Sequence, residues 1–124
     1  MLMHLGRNNI AALVSGAGAA YDSTGANLHV SSSTTTGFTS TTTSLAASPF
    51  VSTMESGYPT LSTNQVTFRG VASTAQANFN WTSWGIANST STDAINLLNR
   101  VYEDLGTKTS AQSWQFTADL TFTT

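Results

Sequence analysis

"SWQFTADLTFTT", residues 113–124, alternates Trp114, Phe116, Ala118, Leu120 and Phe122 with polar residues over five pairs. A period of two sends every apolar side chain to one face of an extended chain and the polar ones to the other. This is the pattern of a half-buried antiparallel strand, and it sets the class of the fold as mainly β.

The preceding stretch is ambiguous. In "AINLLNRVYEDLG" (94–106), Ile95, Leu98, Val101 and Tyr102 fall near helical spacing, yet Leu97 to Tyr102 fits a strand equally well, and the pattern alone leaves 95–104 open. Further upstream, "ANFNWTSWGIAN" (77–88) holds Phe79, Trp81, Trp84 and Ile86 with no charged side chain among them. Ala77, Phe79 and Trp81 share one strand parity, whereas Trp84 and Ile86 share the other. A continuous strand would split them between two faces, so one inserted residue near Thr82 or Ser83 is expected, with all four large residues inward.

"QVTFRGVAS" (65–73) alternates Val66 and Phe68 against Thr67 and Arg69 and reads as a strand, with Gly70 marking a bulge or a close approach. "NLHVSSS" (27–33) reads likewise through Leu28 and Val30, while "SGYPTLST" (56–63) has the composition of a turn. At the start, Ile10, Leu13 and Val14 make one helical stripe over residues 7–14, ended by Gly16 and Gly18. The opening stretch from Met1 to Tyr21 superficially resembles a secretory leader, but its strongly apolar part runs only from Ile10 to Val14.

Four or more short strands and one small helix predict a β-sandwich or jelly-roll-like domain with a short N-terminal helix. Residues 1–124 make a single domain, with 1–20 as a helical arm and 31–44 as a Ser/Thr-rich loop lying on the domain, with one helical turn expected near Ser44 to Ala47. The predicted core is Phe68, Phe79, Trp81, Trp84, Ile86, Trp114, Phe116, Leu120 and Phe122. The helix has too little apolar surface to stand alone, so Leu5, Arg7, Ile10 and Leu13, with Phe38 of the loop, are the candidates for contacts with neighbouring chains.

Composition narrows the function. Charged residues make up 8% of the chain, against about 25% in an ordinary soluble domain. Ser and Thr supply 39 of 124 residues, so solvation falls to short uncharged hydroxyls. Four cations and a net charge of −2 cannot provide the phosphate neutralisation that drives nucleic-acid binding. No apolar run is long enough to span a bilayer as a helix, and the absence of cysteine excludes thiolate chemistry and disulfides.

Nothing in the sequence calls for catalysis, a cofactor or a metal. His4 and His29 are the only imidazoles, the first in the terminal segment and the second at a polar-parity strand position, and both read as surface histidines. "LVSGAG" lacks the glycine two residues before Ser15 that a nucleophile elbow needs. Glu103 and Asp104 are adjacent and diverge on either a strand or a helix, so they make a poor acid/base pair. "GAGAAY" puts Tyr21 where a dinucleotide fingerprint needs its third glycine. Two glycosylation-type triplets, at Asn80 and Asn88, are no more than chance supplies in a chain so rich in Ser and Thr. A sugar platform on Trp81, Trp84 or Trp114 is the competing use of the aromatic residues, but their shared parity with apolar neighbours favours packing.

The layout of "LGRNNIAALVSG", "GYPTLSTNQVTFRGVASTAQANFNWTSWGIAN" and "LLNRVYEDLGTKTSAQSWQFTADLTFT" resembles small β-rich structural proteins of tailed bacteriophages over nearly the whole chain. The most specific parts are the aromatic segment from Phe79 to Ile86 and the run from Leu97 to Trp114. The resemblance implies a virion component made in the host cytoplasm and carried on the particle surface. Capsid decoration or cement protein is the leading expectation, with a tail, neck or fibre component and a secreted carbohydrate-binding module as alternatives. The implied partners are the major capsid protein or tail and neck proteins, together with further copies of the chain as a dimer or trimer. The Ser/Thr-rich stretch from Ser31 to Ser44 departs from what such proteins would suggest.

Overall fold

The computed structural model describes residues 1–34, 39, 45, 50–90 and 97–123. Its elements are a helix α1 (His4–Val14) and the strands β1 (Asn27–Ser31), β2 (Phe50–Thr53), β3 (Thr60–Ser62), β4 (Gln65–Ala72), β5 (Asn80–Ala87), β6 (Val101–Thr107) and β7 (Trp114–Thr121). They form two antiparallel sheets, one ordered β2-β1-β5-β6 and the other β3-β4-β7. The chain is mainly β, with one short N-terminal helix, and its two sheets pack as a β-sandwich.

The core lies between the sheets. Leu28, Val30, Trp81 and Ile86 come from the first and meet Phe68, Ala72 and Ala118 of the second. Aromatic rings continue this contact along the sandwich: Trp81 meets Trp114 edge-on at 5.1 Å between centroids, and Trp84 meets Phe116 at 5.0 Å. Such tilted pairs suit the ring quadrupole and add to the burial of their area.

Trp81 and Trp84 can share a face because the β5–β6 ladder breaks register between Trp81 and Ser83. The irregularity therefore falls at Thr82, where the alternation calls for a bulge or bend; opposite it β6 carries three residues, Glu103, Asp104 and Leu105, between the paired Tyr102 and Gly106. Segment 95–104 resolves in favour of a strand from Val101 onward, with 91–96 outside the described residues. Gly70 marks a close approach and no bulge: β4 pairs with β7 without interruption over eight positions, and a Cβ at Gly70 would stand 3.1 Å from Leu28 of the facing sheet.

Helix α1 ends as its sequence requires. Gly16 takes a φ of +82°, and the N–H groups of Gly16 and Ala17 bond the carbonyls of Leu13 and Ala12, closing the last turn. At its other end the N–H groups of Met3 and Gly6 bond the carbonyls of Leu98 and Leu97, which fastens the helix to the segment entering β6. Leu2 bridges Asn99 in the same region.

That segment corrects the reading of His29. Strand parity places it at the surface, but all five residues of β1 are buried, His29 at 0% exposure. Leu97, Met3 and Ala87 form a second apolar cluster, and Leu45 accepts hydrogen bonds from Ser31 and Arg100, so further chain lies beyond the sheet's outer face. Strand β3 is a further difference, since it occupies part of the expected turn at 56–63. Of the Ser/Thr-rich loop, only 31–34 and Thr39 are described; Phe38 and, apart from Leu45, the turn expected near 44–47 lie outside the described residues.

Candidate interaction surface

At one end of the sandwich the second sheet carries an apolar row that loses its cover. Register aligns Leu61 of β3 with Val66 of β4 and Leu120 of β7. Phe68 and Ala118, one pair inward, are buried, but Val66 and Leu120 are half-buried and Leu61 is 74% exposed. Helix α1 closes this end only in part. Between them lies a hollow of about 270 Å³ lined by Ile10 and Leu13 of α1, Ala20 and Tyr21 of the following loop, Val66, Phe68 and Leu120 of the sheet, Leu98 and Phe122.

The hollow is electrostatically bland. Its one carboxylate, Asp22, is engaged in its own turn: its Oδ1 accepts from the N–H of Gly25 at 2.7 Å and from the N–H and hydroxyl of Thr24 at 3.0 Å. These bonds, led by Gly25, hold the Asp22 carboxyl below the usual carboxylate range. The Tyr21 hydroxyl is pushed up to about 12 by burial, against a smaller opposing effect of its hydrogen bond with Asn9. Across the neutral range Asp22 therefore stays ionised and Tyr21 neutral, so an occupant would meet hydrocarbon, an un-ionised phenol and one carboxylate already hydrogen-bonded in its own turn. Phe122, 50% exposed just beyond β7, extends the apolar area outward.

The predicted site residues distribute as follows. Phe68, Trp81 and Ile86 are buried, and Phe79, Trp84, Trp114, Phe116 and Leu120 are partly buried against them. Phe122 departs from the expected core: its strand ends at Thr121, and its ring stands at the rim of the hollow. Among the assembly candidates, Ile10 and Leu13 line the hollow, Leu5 is half-buried, and Arg7 is exposed and bonds His4 at 3.0 Å. The sequence reading missed Leu61, Tyr21 and Leu98 as parts of this surface. Alternation marks which face a residue takes but is silent on where the covering sheet stops, so no pattern within β4 or β7 could have found the edge of the cover.

Trp81 is 1% exposed, and its ring packs on Trp114 and Phe116. Trp84 packs on Phe116 and reaches Glu103 through its indole nitrogen at 3.4 Å. Their rings serve the sandwich. Of the two histidines, His4 lies on the open side of α1 with Arg7 and Asn8, and His29 bonds the Ser89 carbonyl inside the fold. Among the described residues no three His, Cys, Asp or Glu side chains gather where they could hold a metal, and no helix is long and apolar enough to cross a membrane.

No protein-family model, no curated protein and no solved structure matches the chain.

Proposed function

We propose that this chain is a structural protein of a bacteriophage particle, a capsid decoration or cement protein that stabilises the assembled shell by repeated non-covalent contacts. The observation that carries this reading is the uncovered apolar end of the sandwich, where Leu61, paired with Val66, and Phe122 are exposed at a largely apolar hollow whose single carboxylate, Asp22, is hydrogen-bonded in its own turn. Exposed apolar area of this kind marks a surface that another molecule covers. Around it the exterior is hydroxylated and almost free of ions, which lets side chains hydrogen-bond to a neighbour without the cost of desolvating buried charges. The resemblance of its sequence layout to small tailed-phage structural proteins supports the same reading.

In this role the apolar end seats on the shell, and α1 contributes Ile10 and Leu13 to the contact. Each contact is individually modest. Copies linked to one another gain from effective concentration, so the set holds a lattice far more tightly than one copy could. Because the binding site is a junction of the assembled shell, the protein stabilises assembled over dissociated capsomers by mass action.

The test is to mix the purified protein with shells lacking it and to count bound copies by electron microscopy of the labelled protein. A copy number matching the lattice supports decoration. A few copies at the portal end would move the protein to the neck or tail, and no binding at all would overturn the virion reading. Leu61→Lys makes the contact specific: the position is exposed, so folding stability should stay within about 0.5 kcal/mol. Shell binding should weaken by roughly tenfold or more, equivalent to about 1.4 kcal/mol per decade.

A further inference from the structure

Strand β7 closes one edge of its sheet, and among the described residues β4 is its only strand partner. Phe122 fixes which way its backbone groups point. The backbone N–H of Phe122 donates to the Asn64 carbonyl at 2.9 Å, and the Asn64 side-chain Nδ2 donates to the Phe122 carbonyl. In an antiparallel pair such bonding alternates along the strand, so the even-numbered residues of β7 turn their N–H and C=O toward β4. Gln115, Thr117, Asp119 and Thr121 turn theirs to the open edge.

Among the described residues this edge lacks proline, lysine and a bulge, and its strand is not short; proline, lysine, bulges and short strands are common protections of an edge. Its register with β4 is continuous over eight pairs, and its one charge is Asp119. The other edges differ. Strands β2 and β3 have four and three residues, and β6 is irregular opposite Thr82, carries Glu103 and Asp104 together, and places Gly106 at a φ of +95°.

We propose that β7 pairs antiparallel with β7 of a second copy about a two-fold axis at Ala118, joining two three-stranded sheets into one of six. Side-chain chemistry selects this register. Only pairings that keep even residues opposite even ones hold the apolar faces together. An axis at Asp119 would set two carboxylates directly opposite, which is unfavourable. An axis at Thr117 leaves Phe122 beyond the paired strands. With the axis at Ala118, Phe122, otherwise 50% exposed, lies across from Trp114 of the second copy, and Phe116 lies across from its Leu120. On the outer face, Asp119 already accepts from Thr67 of its own sheet at 2.6 Å and gains Thr117 of the second copy on the other side. The odd-numbered positions then form the hydrogen-bonded pairs, Thr117 with Asp119 and Gln115 with Thr121. This inference rests on the reading of a chain that works by contacts between copies, and it names one of those contacts.

Sedimentation or light scattering at high micromolar concentration should give twice the mass of a single chain. Thr117→Pro removes an N–H that the sheet itself does not use, so it should return the particle to the mass of one chain with an unchanged near-ultraviolet spectrum. A second arm does not depend on that variant folding. The chain has no cysteine, so Thr117→Cys and Asp119→Cys proteins can be mixed and oxidised. Directly opposed hydrogen-bonded positions lie about 5.5 Å apart at Cα, within disulfide reach. The mixed disulfide should therefore exceed either homodisulfide at least fivefold. A natural chain that stays monomeric, or mixed and homodisulfides in statistical yield, overturns the pairing. A monomer that still coats shells would overturn only this pairing; a dimer of this register that never binds particles would overturn only the virion reading.

Discussion

His29 shows how far one side chain's behaviour is set by what lies over it. Its ring is fully buried, and Nε2 stands 2.9 Å from the Ser89 carbonyl. A carbonyl can only accept, so Nε2 carries the proton of the neutral ring, and Nδ1 is left buried with no hydrogen-bond partner among the described residues. Burial lowers the pKa of His29 from 6.5, with the Ser89 carbonyl opposing the shift more weakly. As pH falls below 6.5, the unfolded chain takes up this proton before the folded one does. Folding stability is therefore present above that pH and drains away below it, at up to about 1.4 kcal/mol per pH unit for one proton. We expect the urea midpoint to drop between neutral and mildly acidic pH, and His29→Gln, which keeps a donor toward Ser89 but cannot titrate, to flatten that drop. Strand parity assigns this residue to the solvent. Parity sees only the sheet, whereas the partner of this ring is Ser89, and the segment at Leu97 and Asn99 lies against Gly85, the residue paired with His29, all of them far away in the chain.

At the level of elements, β5 is the strand on which the first sheet depends, because it pairs with β1 on one side and β6 on the other. Its outward Gly85 leaves room for the backbone of the segment that crosses it: a Cβ there would stand 2.3 Å from the carbonyl oxygen of Asn99. Backbone cannot step aside as a flexible side chain can. We expect Gly85→Ala to lower stability by about 1–3 kcal/mol, read as a lower denaturant midpoint at unchanged slope. Elements with a strong period were legible from sequence: α1 through Ile10 and Leu13, β4 through Val66 and Phe68, and β7 through its five alternating pairs. The need for an irregularity beside Thr82 was legible too, because Trp81 and Trp84 could share a face in no other way. The three unpaired residues that β6 carries opposite it were not, since parity in β5 says nothing of its partner strand. Strand β3 escaped because three exposed residues next to Gly57 and Pro59 contain no alternation to detect. The apolar end of the sandwich escaped for a related reason, as Leu61 looks like a turn residue until Val66 and Leu120 are set beside it.

For the molecule as a whole, scarcity of charge is the governing fact. Ten charged side chains serve 124 residues, and among the described residues a single ion pair joins Glu55 to Arg69, at 3.8 Å and partly exposed. Cohesion therefore comes from the rings and aliphatic side chains between the sheets and from neutral hydrogen bonds, neither of which added electrolyte screens. Raising sodium chloride from 0.05 to 0.5 M should change unfolding stability by less than about 1 kcal/mol, measured by denaturant titration at fixed pH. A much larger loss would mean that ion pairs hold the fold.

The bridge between Leu2 and Asn99, with the bonds from Met3 and Gly6 to Leu98 and Leu97, has a temporal side. During translation at roughly 5–20 residues per second, the beginning of the chain waits on the order of 5–20 s before its partner leaves the ribosome. The first helix can coil at once, since its own bonds are local, but Ile10 and Leu13 stay uncovered through that interval. Nascent chains of this protein are for that period candidates for chaperone capture, and the emergence of Leu97 and Leu98 delivers the segment that releases them.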